Sequence, residues 1–121
     1  LPKKLLEKGI TDMVRISDGR MSGTGFGTVV LHISPEASAG GNFALIQNGD
    51  MVILDVEKRS LNINITGEEL QKRKIAWQAP PPAADRGYVS LYIRHVEQAN
   101  LGTDLDFLKG GSGSDVSRDS H

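Results

Sequence analysis

The segment "MVRISDGRMSGTGFGTVVLHIS", residues 13–34, places a polar, glycine-rich stretch between two apolar runs. The first run, residues 13–16, is short, whereas the second, residues 27–34, is rich in β-branched side chains and almost continuously apolar. A run of the second kind is typical of a strand that is covered on both faces. The sequence therefore predicts two strands joined by a loop over residues 17–28, and this loop contains four glycines.

The loop allows two interpretations. The backbone N–H groups of a glycine-rich turn can converge on an anion, and Ser22, Thr24 and Thr28 add hydroxyl donors. No Gly-Lys-Ser/Thr sequence ends the loop, and it does not complete G-x-G-x-x-G at the start of a long helix, so it matches neither common nucleotide-binding motif. The residues alone leave open a purely structural loop and a site for a phosphate or a carboxylate.

Asp18 and Arg20 lie beside Ser22 in this loop. They could pair with each other on the surface, where such pairs contribute little to stability, or they could support the function of the serine. A serine nucleophile normally needs a histidine base. The internal histidines, His32 and His95, fall in a predicted buried strand and on the apolar face of a predicted helix, so both are expected to be core residues.

Beyond the loop, the pattern of apolar residues predicts more β structure and then a helix. Residues 43–46 predict a short strand. Residues 51–66 contain two period-2 runs around the polar turn "EKRS", which predict a β-hairpin with one solvated face. The T-x-x-E spacing of Thr66 and Glu69 is that of a capping box, and it predicts a helix that runs to about Trp77.

Two further helices complete the predicted order of elements. One begins near Pro2 and ends at Gly9, and an amphipathic helix covers residues 87–102, with Tyr88 among its inward positions. The predicted order is helix, strands, hairpin, helix and helix, which is an α/β arrangement of the β/β/α kind.

Two carboxylates and the tail follow the last helix. Asp104 and Asp106 resemble a carboxylate pair, but two residues apart in a loop they are expected to be solvated and not to bind a metal. The tail, residues 110–121, is expected to be extended because glycine, serine and charged residues dominate it. His121 lies in this tail and carries no functional signal by its spacing.

Composition excludes several classes of protein. Fourteen basic and fifteen acidic residues give a net charge of -1, which argues against a nucleic-acid binder or a membrane-surface binder. No apolar run could span a membrane, so the chain is expected to be soluble and cytoplasmic. The chain contains no cysteine, which excludes disulfides and any iron–sulfur cluster held by its own thiolates. The first residue is Leu1, which leaves open a piece cut from a longer protein.

Two longer stretches carry a family resemblance. "ISDGRMSGTGFGTVVLHISPEASAGG", followed by "ALIQNGDMVILDV", resembles the C-terminal domain of the dihydroxy-acid and sugar-acid dehydratases. The endings "RGYVSLYIRHVEQA" and "DLDFLKGGSGSDVSRDSH" look most like the arabinonate and xylonate dehydratase branch. The resemblance implies that residues 1–121 form a swivelling β/β/α domain with a β-barrel-like sheet.

The resemblance also implies a reaction, the loss of water from a 2,3-dihydroxy acid to give a 2-keto-3-deoxy acid. In this family a [2Fe–2S] cluster acts as Lewis acid on the 3-hydroxyl, and Mg²⁺ holds the carboxylate and the 2-hydroxyl. A serine alkoxide removes the C2 proton. Carried over to this sequence, the base is Ser22, Gly23 and Thr24 lie where they can contact the serine or the substrate, and Asp18 and Arg20 hold the shape of the loop.

The family's ligands for the cluster and for Mg²⁺ lie in an N-terminal domain that this sequence does not include. We therefore expect the chain to bind no cofactor alone, to be inactive in isolation, and to act with that domain in a homo-oligomer, either a dimer or a tetramer. Two alternatives stay open: the corresponding domain of a branched-chain dihydroxy-acid dehydratase, and a non-catalytic module for anion binding or assembly.

Overall fold

The computed structural model of the chain describes residues 1–22 and 25–109. The chain divides into two compact units, Leu1–Pro80 and Pro81–His121. Helices and small sheets occur together, so the predicted mixture of α and β structure is confirmed. In the described part of the chain the strands form two separate two-stranded sheets and no closed barrel. Within the same residues, no helix is long and apolar enough to cross a bilayer.

The first sheet lies at the base of the glycine-rich loop. Strand β1, Arg15–Ile16, pairs in parallel with strand β2, Val29–Val30. Both strands are shorter than the sequence predicts, and their side chains are half-buried where full burial was expected for the second. The extended path of β2 ends before His32, which has a left-handed φ of 57°. His32 is exposed, so the prediction of a core histidine at this position is wrong.

The second sheet is the predicted hairpin. Strand β3, Val52–Asp55, pairs antiparallel with strand β4, Ser60–Ile63. Its inward positions are half-buried: Val52, Leu54, Leu61 and Ile63. Val56, which continues the inward alternation in the sequence, lies in the turn and is exposed. The turn forms because the Asp55 carboxylate accepts a hydrogen bond from the Lys58 N–H at 2.9 Å.

Two α-helices lie in the described residues of the first unit. Helix α1 is Lys3–Leu6, and helix α2 is Gly67–Ala76. The Thr66 side chain accepts a hydrogen bond from the Glu69 N–H at 3.2 Å, so the predicted N-terminal cap is confirmed. Helix α2 ends at its C-cap residue Trp77, where the sequence placed its end.

The short strand predicted over residues 43–46 is wrong. Asn42–Leu45 form a 3₁₀-helix, which the Ala44 N–H stabilises by donating to the Gly41 carbonyl at 2.9 Å. An apolar run of four residues is too short to reveal whether its period is that of a strand or of a helix. Leu45 is the large apolar side chain that becomes buried among the described residues, with 6% of its surface exposed.

In its described residues, 81–109, the second unit contains one α-helix and short turns. Helix α3 is Gly87–His95, and a separate 3₁₀-helix, Ala99–Leu101, follows, so the prediction of one helix up to residue 102 is wrong. An isolated bridge between Val96 and Leu105 replaces the last helical turns. The buried position of α3 is Ser90, whereas Tyr88, expected to face inward, is 78% exposed. The large apolar side chains of α3 are therefore only partly covered, with exposed fractions from 37% at Tyr92 to 78% at Tyr88.

Candidate functional site

The glycine-rich loop, residues 17–28, connects the two parallel strands directly, and we call it the serine loop. The Arg15 N–H donates to the Thr28 carbonyl at 3.0 Å, and the Ser17 N–H donates to the Val30 carbonyl at 2.9 Å. A parallel pair needs a connection of about a dozen residues or more, usually a helix. Here the described residues of the connection contain no helix, and the strand pairing brings the two ends of the loop together.

The first arm of the serine loop, residues 17–21, is attached to a neighbouring segment. The Asp18 carboxylate accepts a hydrogen bond from the Ala37 N–H at 2.8 Å. Arg20 Nε donates to Glu36 Oε1 at 2.7 Å, and these two side chains are only 18% and 22% exposed. Asp18 thus binds the backbone of Ala37 and Arg20 binds the side chain of Glu36, which differs from the mutual surface pair that the sequence left open.

Residues 35–39, which we call the support segment, are themselves held firmly. The Glu36 carbonyl accepts hydrogen bonds from the Ala39 N–H at 3.0 Å and from the Gly41 N–H at 3.4 Å. Gly41 is buried, and a Cβ atom there would overlap the carbonyl oxygen of Pro35. The position therefore requires glycine, because the two backbones approach so closely.

The second arm of the serine loop, residues 25–28, is attached to Asp12, before β1, and to Arg15 in β1. The Thr28 N–H donates to the Asp12 carboxylate at 3.2 Å, and Arg15 Nη2 donates to the Phe26 carbonyl. Gly27 has a φ of 85°, and a Cβ atom there would overlap the Asp12 carboxylate. Both arms are thus fixed by contacts outside the loop.

Ser22 lies between these arms and is exposed to solvent. No hydrogen bond links its hydroxyl to another described residue, and therefore none links it to a histidine. Gly23 and Thr24, the other predicted contact residues, lie outside the described residues. The side chains of Met21 and Phe26 are 60% and 76% exposed, so apolar surface is exposed at positions on both sides of the serine in sequence.

His95 and the two nearby aspartates belong to the second unit. His95 Nδ1 lies 3.0 Å from Asp106 Oδ1, and its ring packs edge-on against Phe107 with 5.4 Å between the ring centroids. The His95 side chain is 40% exposed, so the prediction of a core position is wrong here too. Asp104 and Asp106 are exposed, as predicted. His121 and the tail lie outside the described residues.

A second arginine cluster, which we call the Arg73 cluster, lies in the first unit away from the serine loop in sequence. Arg73 donates to both carboxylate oxygens of Asp50, at 2.6 and 3.1 Å, to Glu69 at 2.9 Å and to the Leu45 carbonyl at 3.0 Å. The hydrogen bond from Arg73 lowers the pKa of Asp50 below its usual 3.8, and the same contact raises the pKa of Arg73. The cluster attaches helix α2 to the turn that precedes β3.

Residues 1–103 match the family model described as dihydroxy-acid/6-phosphogluconate dehydratase C-terminal. The chain belongs to this dehydratase family. The resemblance seen around the serine loop is therefore confirmed over most of the chain, including both arms, the support segment and the Arg73 cluster.

Three relatives illustrate the range of the dehydratase family. An L-arabinonate dehydratase of Rhizobium leguminosarum is 56% identical over the whole chain, which covers 21% of that relative. An L-arabonate dehydratase of Azospirillum brasilense is 52% identical, again over the whole chain and 22% of the relative. A dihydroxy-acid dehydratase of Chloroflexus aggregans is 42% identical over 89% of the chain and 19% of the relative. The chain thus spans about a fifth of the length of the relatives that it matches.

The described residues of this dehydratase segment do not offer the ligands of an iron–sulfur cluster or of a metal ion. The chain has no cysteine. Across residues 1–22 and 25–109, no group of three or more histidine, aspartate or glutamate side chains converges as a metal site would require.

Sequence reasoning missed Glu36, Ala37 and Asp12 as partners of the serine loop. The "SPEA" sequence that contains Glu36 is part of the family resemblance, but no local pattern assigns it a contact. The partners become visible only when the fold brings residues together that are 16 to 19 positions apart.

Proposed function

We propose that this chain is the C-terminal part of a hydro-lyase that dehydrates a sugar acid, and that Ser22 is the base that removes the C2 proton. The observation that carries the proposal is the position of Ser22, which is exposed between two loop arms that are both attached to the rest of the unit. Such an arrangement holds a reactive side chain in place while leaving its hydroxyl accessible to a substrate.

The proposed proton transfer and loss of water need no residue of this chain other than Ser22. Ser22 reacts as an alkoxide, so its oxygen takes the proton from C2 while the C–H electron pair forms the C2–C3 double bond and hydroxide leaves C3. The resulting enol rearranges to the 2-keto-3-deoxy acid. The proton on Ser22 and the leaving hydroxide together make up the water that is lost, and the alkoxide is regenerated.

An alkoxide is a demanding base, because an unperturbed serine hydroxyl ionises far above neutral pH. A serine therefore needs aimed N–H donors or a nearby cation to act in this role. We assign Gly23 and Thr24 to contacts with the serine or the substrate, and we assign Asp18 and Arg20 to holding the loop. The contacts of Asp18 and Arg20 with the support segment favour the second assignment.

The same proposal places the remaining parts of the enzyme outside this chain. A [2Fe–2S] cluster and Mg²⁺ would be bound by an N-terminal domain of the same polypeptide, within a cytoplasmic homo-dimer or homo-tetramer. The small sheets would then form part of a swivelling domain with a barrel-like sheet. Two observations support a missing domain: the chain covers about a fifth of its relatives, and among the described residues Leu45 is the large apolar side chain that is buried.

The substrate class rests on the relatives. Those named for arabinonate are 56% and 52% identical, whereas the dihydroxy-acid dehydratase is 42% identical, and this order favours a pentonate. The alternative is a branched-chain 2,3-dihydroxy acid. Turnover of pentonates and of 2,3-dihydroxy-isovalerate by the full-length protein decides between them, and faster turnover of the latter would refute the sugar-acid assignment.

The direct test of the base is Ser22→Ala in the full-length protein. We expect kcat to fall by about 10²–10⁴-fold, because general base catalysis contributes that much, with no loss of stability at this exposed position. Thr11→Ala is the matched control, since Thr11 is an exposed hydroxyl residue outside the serine loop and the support segment. Full turnover by Ser22→Ala would refute the catalytic role and favour a non-catalytic binding module. The isolated chain is expected to show no dehydration of any pentonate.

A further inference from the structure

We propose that Glu36 is a positioning residue for Ser22, which it holds in place through Arg20. This inference rests on the proposed function and deepens it, because it names the residue outside the serine loop that fixes where the base lies. Arg20 precedes Ser22 by two residues, and its guanidinium donates to Glu36 Oε1 at 2.7 Å. The position of the Glu36 carboxylate therefore limits the position of the serine.

The contact between Arg20 and Glu36 is of the kind that can hold a loop. It is a charge-assisted hydrogen bond, which is shorter and stronger than a bond between neutral groups. The two side chains are 18% and 22% exposed, so water and salt screen the pair less than they screen a surface pair. An ion pair between long, fully exposed side chains would not fix a backbone in this way.

A second attachment acts on the same arm of the loop. Asp18 accepts the hydrogen bond from the Ala37 N–H at 2.8 Å, so adjacent residues of the support segment bind two alternate residues of the loop. Attachments four and two residues before Ser22 restrict both the position and the direction of the chain as it approaches Ser22. A single attachment would leave the arm free to pivot.

The support segment is itself rigid enough to act as a reference point. The Glu36 carbonyl is hydrogen-bonded to the N–H groups of Ala39 and Gly41, and Gly41 packs so closely on Pro35 that a Cβ atom there would overlap the Pro35 carbonyl. The Glu36 side chain therefore projects from a backbone whose carbonyl is held by two hydrogen bonds. Its carboxylate positions Arg20 from a fixed origin and does not simply follow the movements of the arginine.

The test uses the full-length protein and four variants: Glu36→Ala, Glu36→Gln, Arg20→Ala and the double variant Arg20→Ala/Glu36→Ala. We expect Glu36→Ala and Arg20→Ala each to lower kcat by about 10²-fold, because a displacement of about 1 Å can cost that much. KM should change far less than kcat. The double variant should be no slower than either single variant, because the two residues act through one contact.

Glu36→Gln separates positioning from general stability. Glutamine keeps an oxygen that can accept from Arg20 Nε, so this variant should recover part of the kcat lost in Glu36→Ala. It also serves as the informative variant if Glu36→Ala does not fold. The matched control is Asp50→Asn, which weakens a pair of similar burial in the Arg73 cluster and should leave kcat unchanged.

The outcomes separate the two proposals. An inactive Ser22→Ala together with a fully active Glu36→Ala would overturn the positioning role and leave Ser22 as the base. Additive losses of kcat in the double variant, or equal losses of kcat in Asp50→Asn, would also overturn it. Full turnover by Ser22→Ala would refute the proposed function itself.

Discussion

The Arg73 cluster and the Arg20–Glu36 pair use the same chemistry for different purposes. Arg73 donates hydrogen bonds to both carboxylate oxygens of Asp50, and the Arg73 and Asp50 side chains are only 12% and 10% exposed. That cluster joins helix α2 to the turn before β3 and to the Leu45 carbonyl. Arg20 is similarly buried, but its partner Glu36 holds the serine loop, which exposes the Ser22 hydroxyl. The comparison indicates that an arginine–carboxylate pair stabilises a fold or positions a residue according to what it attaches.

Among the substitutions that test this comparison, we expect the largest effect where the support segment that carries Glu36 is disturbed. Gly41→Ala should lower both stability and kcat, because the new methyl group overlaps the Pro35 carbonyl and must displace the support segment. Overpacking of this kind costs about 1–3 kcal/mol, and the shift should lower kcat about 10²-fold. Hydrogen exchange of the backbone and steady-state kinetics of the full-length protein measure the two effects.

Gly67→Ala is the control for that substitution. Gly67 is the first residue of α2, has open space around its Cα, and lacks a left-handed φ. Alanine there should be neutral or stabilising, since it favours the helical backbone more than glycine does. Normal kcat in Gly41→Ala would show that the support segment does not position the serine loop.

A smaller effect, on stability alone, is expected for Asp50→Asn. Since the pKa of Asp50 is lowered in the folded state, its stabilising contribution is complete at neutral pH and is lost as the pH falls through the lowered pKa, below 3.8. The difference in protection of the hairpin amides between wild type and variant should therefore be largest at neutral pH and should narrow below 3.8. A difference that does not depend on pH, or a selective fall in kcat, would contradict the division of roles.

The smallest effect is expected at the N-terminus of α2. Thr66→Ala removes the acceptor for the Glu69 N–H and should cost about 1 kcal/mol of local stability. Turnover should not change, because α2 carries Arg73 and none of the residues that bind the serine loop. Thr11→Ala, at an exposed position outside any helix, is the control and should leave the amide protection of α2 at its wild-type level.

The elements that the sequence predicted well are those with local signals. The period-2 runs predicted the hairpin, and the capping box predicted α2 with both of its ends, because strand pairing and capping depend on residues a few positions apart. Residues 43–46 and the end of α3 were predicted wrongly because a short or mixed apolar run fits more than one backbone. His32 could not be placed because its left-handed φ has no signature in the neighbouring residues.

The site shows the same limit. Ser22, Asp18 and Arg20 could be identified from the sequence of the loop and its resemblance to a family. Their partners could not, because Glu36 and Ala37 come near the loop only through the pairing of β1 with β2 and the turn that follows. Likewise, nothing in the sequence around Arg73 indicates that its main partner lies 23 residues away at Asp50.

The attachment of both arms also sets a limit on the length of the serine loop. A chain spans at most about 3.3–3.6 Å per residue, so Ser22 cannot lie more than about 7 Å from Arg20 or about 14 Å from Phe26. One extra residue within this stretch would extend the reach by about 3.5 Å, which exceeds the length of a hydrogen bond, about 2.9 Å. The number of residues between the two attachment points therefore limits where Ser22 can lie. An insertion there would displace the Ser22 hydroxyl even if every contact described above were kept.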